Sequence, residues 1–231
     1  MGMKGKIALG AVVGIVVIGV VSANTGGDSS KDGKGTSASS GPHSGTTSGK
    51  NGKNGSGEKS QDARKVAFSG DGEYEVGKDI KPGTYRTRGN ADDECYWERA
   101  KDASGDTDST LANDNVTGTS YVTIKATDKL FKSTGCKDWE AVTAKPSGTP
   151  TAKNVAGDGG MYAVGADIAP GTYRSTGNTD DKCYWERTKD ALQSVDSINA
   201  NDNVSGTAVV TISAHDAYFK TTGCHDWTKT S

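Results

Sequence analysis

Hydrophobic and polar positions divide the chain into three zones. Residues 7–23 form an apolar run without a charged side chain, and residues 24–69 carry almost no apolar side chain. From residue 70 onward, short runs of Tyr, Trp, Val, Thr and Ile alternate with polar residues. The pattern predicts one apolar helix, a disordered Gly/Ser/Lys linker over 24–69 and a region rich in β-strands.

The strand-rich region shows period-two alternation and no helical stripe. Its clearest runs are YEV, TYRTR, CYWER and YVTIK, each bounded by Gly, Pro, Asn or Asp. In the CYWER run, alternation places Cys95, Trp97 and Arg99 on one face of a strand. Tyr96 and Glu98 then point to the opposite face. We therefore expect a core-facing side and a second, more polar side.

The strand-rich region is an internal duplication. Segment 72–139 recurs without a gap as segment 160–227, 88 residues later, with about two thirds of the positions identical. Repeats found at a fixed spacing determine the architecture. We expect an all-β fold of two tandem, small β-sandwich or barrel modules at 70–142 and 157–231, joined by a Pro/Thr linker at 143–156.

The same periodicity predicts which residues form the core. The expected core positions are the large apolar residues that share the inward face of the predicted strands, together with their counterparts 88 residues later. In the first copy they are Ile80, Tyr85, Trp97, Val122, Ile124, Phe131 and Trp139.

Each copy carries two cysteines at the same separation. An even number of cysteines in an exported chain is typical of a disulfide framework, and four cysteines allow three pairings. Repeat symmetry favours Cys95 with Cys136 and Cys183 with Cys224, because each module then closes by itself. A module of this size has a marginal core, so such a bond would determine whether it folds.

The N-terminal zone predicts export. Lys4 and Lys6 precede the apolar run, and small residues end it at Ala23, as in a signal peptide cleaved after Ala23. An uncleaved anchor that leaves the C-terminus outside remains an alternative. The zones carry net charges of +2 over 1–23, +3 over 24–69 and −7 over 70–231. The acidic β region argues against nucleic acid as its partner.

Residues with catalytic or metal-binding chemistry are sparse. The histidines His215 and His225 have no counterpart in the first copy, so no Ser-His-Asp set exists in both modules. Oxygen ligands suited to calcium occur in DD and NDN runs in both copies, but turns explain them without an ion. Glu98 and Glu186 offer one acid per module, without the second placed carboxylate that a glycosidase requires. We expect no metal site, no cofactor and no catalytic residue.

A binding role depends on the polar side of the CYWER strand. Tyr96 and Glu98, and their counterparts Tyr184 and Glu186, combine an amphipathic aromatic ring with a charge, which suits recognition of protein or glycan surfaces. The alternative is that each tyrosine packs on a second sheet of its own module. These four residues are the candidate binding site.

The ordered elements VGxDIxPGTY, CYWER, ANDN and GCxxW occur in both copies. In this order they resemble a tandem module of unassigned activity found in exported proteins of high-GC Gram-positive bacteria. The resemblance covers 72–139 and 160–227, and it implies a β fold and an extracytoplasmic location but no activity. Unlike lipid-anchored relatives, this chain has no cysteine after the apolar run.

These observations predict a non-enzymatic protein, secreted or anchored to the plasma membrane, that presents two β modules for binding at the cell surface or wall. The expected partner is a surface protein or glycan, with membrane contact through residues 7–23 if they are not removed. A hydrolase of an extracellular polymer and a passive cell-surface spacer are the alternatives.

Overall fold

A computed structural model describes residues 66–143, 148 and 150–231, without the side chains of 92, 93, 180 and 181. The predicted signal or anchor and most of the predicted linker lie outside the described residues. No helix of the described part is long and apolar enough to cross a membrane. Both repeats belong to one compact unit of the chain.

The first repeat contains six strands and one short 3₁₀ turn. Its strands are β1 Val66–Phe68, β2 Gly72–Glu75, β3 Gly83–Ala100, β4 Thr110–Ile124, β5 Leu130–Thr134 and β6 Trp139–Ala141, with the 3₁₀ turn at Thr107–Ser109.

The second repeat reproduces the same order of elements. Its strands are β7 Asn154–Val155, β8 Gly160–Ala163, β9 Gly171–Thr188, β10 Ile198–Ile212, β11 Tyr218–Thr222 and β12 Trp227–Lys229, with the 3₁₀ turn at Val195–Ser197.

A long antiparallel hairpin forms the centre of each repeat, made of β3 and β4 in the first. Its pairing is irregular between Thr87 and Cys95, and such irregularities bend a hairpin. One half of the hairpin is extended by β6 and β1, and the other half by β5 and β2. The two halves share one core and the sheet does not close, so the predicted all-β fold is confirmed in its sandwich-like form.

A buried asparagine holds the bend. The Asn90 side-chain amide donates to the Gly118 carbonyl at 2.9 Å, and its oxygen accepts from the Lys137 backbone amide at 2.8 Å. Asn178 repeats both contacts in the second repeat, at 3.1 Å and 2.8 Å. In each repeat these bonds satisfy one carbonyl of the interrupted hairpin and one amide of the segment before the last strand.

The predicted core is confirmed with one exception. All seven positions predicted in the first repeat are buried, and Phe68 joins them by stacking on Trp139 and meeting Phe131 edge-on. In the second repeat Trp185 is only half-buried, whereas its counterpart Trp97 is fully buried. The two tryptophans differ in burial because residues from outside the first repeat help to cover Trp97, whereas Trp185 has no such cover among the described residues.

The sulfur pairing follows the repeat symmetry. Cys95 bonds to Cys136 and Cys183 bonds to Cys224, each pair 41 residues apart. The first bond joins the bend of β3 to the segment between β5 and β6. Each disulfide therefore closes its own repeat, and no free cysteine occurs among the described residues.

The modules begin earlier than the sequence pattern indicated. Strand β1 lies within the predicted 24–69 linker and pairs with β6, and β7 lies within the predicted 143–156 linker and pairs with β12. Both strands are short and flanked by polar residues, so composition alone places them in linkers. Phe68 and Val155 are nevertheless core residues.

The ANDN runs are strand rather than turn. Residues 112–116 lie inside β4 and pair with the CYWER strand, and 200–204 do the same in β10. Asn113 is held by this register opposite Glu98. Cross-strand contacts have replaced the local turn chemistry that Asn and Asp favour.

Candidate interaction surfaces

Strand alternation places Tyr96 and Glu98 on one side of β3, as predicted. The Tyr96 hydroxyl donates to Glu98 Oε2 at 2.7 Å, and the Thr110 hydroxyl donates to Glu98 Oε1 at 3.0 Å. Asn113 Nδ2 donates to the Tyr96 hydroxyl at 3.3 Å. Tyr96 and Glu98 are both half-buried, so the pair forms a fixed polar cluster with one side open to solvent.

Burial and the carboxylate partner act on the Tyr96 phenol. Desolvation raises its pKa, and the hydrogen bond to Glu98 raises it further, to about 12. The ring therefore presents a neutral hydroxyl at any physiological pH.

A shallow cleft adjoins this pair in the first repeat. It has a volume of about 140 Å³, and Glu73, Glu98, Asp102 and Lys132 supply its charged lining. Lys132 lies opposite Glu98 in the sheet and forms an ion pair with Glu73 at 3.6 Å. Three carboxylates against one ammonium make the cleft acidic. We call this surface, with Tyr96, the cleft face.

The corresponding face of the second repeat has the same internal bonds but a different exposure. The Tyr184 hydroxyl donates to Glu186 at 2.6 Å, and Asn201 donates to that hydroxyl at 3.2 Å. Glu186 is only 6% exposed. The candidate binding pair is therefore open to solvent in the first repeat, whereas Glu186 of the second repeat is buried.

The first repeat covers this face of the second. Lys220 lies opposite Glu186 in the sheet, and its Nζ donates to Asp114 Oδ2 of the first repeat at 2.7 Å. Burial opposes the charged form of Lys220, but Asp114 and Glu186 outweigh it, so the lysine pKa is raised. Lys220 also donates to Gln193 at 3.2 Å. The ion pair joins the two repeats.

A loop of the second repeat lies along the outer edge of β4. The Thr123 amide donates to the Ala191 carbonyl at 2.7 Å, and Gln193 Nε2 donates to the Tyr121 carbonyl at 2.7 Å. Arg99 Nη1 donates to the Leu192 carbonyl at 2.8 Å. The loop therefore caps the edge of the first sheet with backbone and side-chain hydrogen bonds.

Arg99 can reach that loop because a buried carboxylate fixes its other nitrogens. Its Nε donates to Asp128 Oδ2 at 2.8 Å and its Nη2 donates to Oδ1 at 3.1 Å, a bidentate pair. Such a pair orients the guanidinium as well as neutralising it. The alternation correctly predicted the inward face of Arg99 but not its partner.

A cluster of aromatic and apolar residues completes the contact between the repeats. Tyr121 and Tyr218 meet with ring centroids 5.0 Å apart, and the Tyr121 hydroxyl donates to Asp167 at 2.6 Å. Desolvation and the Asp167 carboxylate raise the pKa of Tyr121. The cluster consists of Tyr121, Met161, Ala163, Ala191 and Tyr218.

Close backbone approach is part of the same contact. The Thr119 amide donates to the Gly159 carbonyl at 3.0 Å, and Thr119 pairs in parallel with Gly160. Gly118, with φ of 74°, lies against the Gly159 backbone, where a Cβ would collide. The first and second repeats are therefore packed together, not merely tethered.

A groove with residues from both repeats runs beside this contact. It has a volume of about 450 Å³ and is lined from both repeats, including Thr84, Thr123, Asp190 and His215. No cluster of three or more His, Cys, Asp or Glu within the described residues is placed to hold a metal ion. The Asp pairs considered for calcium, at 92–93 and 180–181, have side chains outside the described set.

A small disulfide-closed β repeat that is present twice is typical of the modules of exported proteins. Residues 66–140 and 153–228 each match the Rv1352-like extracellular domain, and the chain belongs to that family. The predicted extracytoplasmic location and tandem organisation are thereby confirmed. No curated protein and no solved structure matches the chain.

Proposed function

We propose that the chain is a non-enzymatic protein of the cell exterior, secreted or tethered to the membrane through residues 7–23, that binds a partner at the cell surface or wall. The binding surface is the cleft face of the first repeat, centred on Tyr96 and Glu98. Its partner is a surface protein or glycan that offers hydroxyl or cationic groups to an acidic, aromatic-flanked cleft.

One observation carries this proposal. The first repeat of the same chain contacts the equivalent face of the second repeat, through the 2.7 Å bond between Lys220 and Asp114. The first repeat keeps the same Tyr, Glu and Lys on the same strands, and there Lys132 is 44% exposed. A face that binds protein in one copy and is open in the other is the best-supported recognition surface.

Carboxylates in the cleft give the hydrolase alternative a specific form. Glu73, Glu98 and Asp102 line one cavity, and a pair of carboxylates is the minimum for glycoside hydrolysis. Both oxygens of Glu98, however, already accept hydroxyl hydrogen bonds. That arrangement suits an acceptor that orients neighbours better than a proton donor, so binding is the preferred function.

Binding is tested with the chain purified from the exported fraction and isolated wall fragments or purified surface proteins as the probe. Tyr96→Ala and Glu98→Gln should each weaken binding by at least about tenfold, as expected of central contact residues. Tyr184→Phe, which alters the covered copy, is the matched control and should bind like the wild type.

Three outcomes would refute the proposal. Absence of binding by the wild type to every probe would favour a passive spacer, and undiminished binding by Tyr96→Ala would exclude the cleft face. Turnover of a wall polymer that is lost in Glu98→Gln would instead establish the hydrolase.

The intact mass of the exported chain decides whether the protein is secreted or anchored, because cleavage after Ala23 removes the apolar run.

A further inference from the structure

The outer edge of β10 in the second repeat lacks the cover that β4 has in the first. Among the described strands β10 pairs with β9 alone. Thr207, Val209 and Thr211 are exposed along this edge, Val209 to 55%, whereas Tyr121, the counterpart of Val209, is fully buried. Segment 207–212 has no charge and no proline, the two usual protections of a free edge. We call it the open edge.

Side chains beside the open edge have fewer contacts than their counterparts in the first repeat, although Arg187 keeps an ion pair with Asp216. Trp185 is half-buried where Trp97 is fully buried. Arg187 has no docked carbonyl to reach, so its Nη1 donates to the Thr211 carbonyl at 2.8 Å. Its Nε is buried without a hydrogen-bond partner, whereas Nε of Arg99 bonds to Asp128. These differences are those expected of a docking site that is complete in one repeat and empty in the other.

The first repeat carries the loop that would fill such a site. Lys101-Asp102-Ala103 repeats Lys189-Asp190-Ala191, the loop that covers β4. Gly105 and its counterpart Gln193 both have positive φ, 75° and 51°, so the two loops turn alike. Residues 101–106 are exposed, so a partner strand can reach this loop.

Counterparts of the two charged residues that join the repeats are present on the cleft face and beside the open edge. Lys132 is the counterpart of Lys220, and Asp202 is the counterpart of Asp114. Lys132 is 44% exposed and Asp202 is exposed, so each is accessible. Arg174 is exposed near the open edge, because Thr228 replaces the Glu140 that pairs with Arg86. The open end thus offers Asp202 to Lys132 and Arg174 to the carboxylates of the cleft face.

We propose that chains associate head to tail, the cleft face of one copy docking on the open edge of the next. The Ala103 carbonyl accepts from the Thr211 amide, and Lys132 pairs with Asp202, as Ala191 and Lys220 do within one chain. This rests on the proposed function and deepens it, since it names a second copy as one partner of the cleft face. A heterologous contact of this kind extends into rows of molecules, or into rings where the rotation between copies closes.

The contact between chains is expected to be weaker than the one within a chain. Glu73, Glu75 and Lys78 replace Met161, Ala163 and Ala166, which removes most of the apolar contact. Association is therefore reversible and polar, and it depends on a high local concentration, as on a crowded surface. It should also weaken as salt is added, because exposed charges are screened.

Sedimentation equilibrium tests the inference on the chain purified from the exported fraction, from about 10 µM to about 1 mM, the range suited to a small polar interface. Wild-type average mass should rise with concentration. Asp202→Lys and Lys132→Glu should each weaken association by at least about tenfold, because each places like charges together. The double variant restores opposite charges and should regain it.

Glu94→Lys is the matched control, since it makes the same charge change at an exposed position where the second repeat already carries Lys182. It should associate like the wild type. A monomer over the whole range, an unaffected Asp202→Lys variant or a double variant that stays monomeric would each overturn the inference. Asp202 lies away from the cleft face, so its variant should keep ligand binding, which separates this failure from failure of the proposed function.

Discussion

Substitution of Gly118 isolates the contact between the two repeats. Gly118 and its counterpart Gly206 both have positive φ, 74° and 82°. Alanine at either position incurs the same backbone strain, about 1 kcal/mol. At Gly118 the new Cβ would also collide with the Gly159 backbone, whereas at Gly206 nothing lies within 4 Å. Overpacking against a rigid neighbour costs about 1–3 kcal/mol.

We therefore expect Gly118→Ala to destabilise the protein by about 1–3 kcal/mol more than Gly206→Ala. Equilibrium unfolding in urea, followed by tryptophan fluorescence, measures both free energies of unfolding under identical conditions. The difference between the variants removes the strain that they share. The remaining difference in the free energy of unfolding reports only the close contact between Gly118 of the first repeat and the backbone of the second.

Equal losses in the two variants, within about 0.5 kcal/mol, would refute this reasoning, because distant surface changes fall in that range. Such a result would mean that the repeats do not touch at Gly118 in solution. The burial of Glu186 and the coverage of β4 would then also lose their basis.

Three further predictions follow from the same contacts. Asp114→Asn should lower the free energy of unfolding by about 2 kcal/mol, because it leaves Lys220 largely buried without its main counter-ion. The folded-state pKa of Lys220 is raised. The stabilisation from this ion pair is therefore complete at neutral pH and is lost only as pH rises above the usual lysine range. Replacing Cys95 and Cys136 by serine should cost about 4 kcal/mol, measured by urea unfolding, because the bond closes a loop of 41 residues. Acrylamide should quench Trp185 more than the other tryptophans, so Trp185→Phe should remove most of the quenchable fluorescence.

Matched changes in the other repeat control the first and third of these predictions. Asp202→Asn alters the exposed counterpart of Asp114 and should change stability by less than about 0.5 kcal/mol. Trp97→Phe should leave quenching unchanged, since Trp97 is fully buried. Similar losses for Asp114→Asn and Asp202→Asn, or equal quenching of all tryptophans, would contradict the arrangement of the repeats. An unchanged stability without the first disulfide would contradict its role as a staple.

Alternation and duplication were sufficient to predict most of the fold. Period-two patterning identified the face of Trp97, and symmetry between copies identified the sulfur pairs. The bend was not predicted, because Asn90 acts through backbone groups of Gly118 and Lys137, which are distant in sequence and meet it only in the folded repeat. The early strands were missed because β1 and β7 are too short to show a period.

The sequence predicted on which side of the strand Tyr96, Glu98 and their counterparts lie, but not that Glu186 is covered. Alternation shows which face of a strand leaves its own core, but it does not show what then covers that face. The signal lay in the differences between copies. Charged Glu73 and Glu75 in the first repeat become Met161 and Ala163 in the second, where they meet a neighbour. These replacements, unlike the shared motifs, distinguish the surface that is covered from the one that is open.

The placement of the disulfides has a consequence for proteolysis. Both sulfur bridges lie within a repeat, so no covalent bond other than the main chain connects the two halves. A nick between the repeats should therefore leave the protein migrating as one particle under native conditions. Denaturant alone, without a reducing agent, should then separate two fragments.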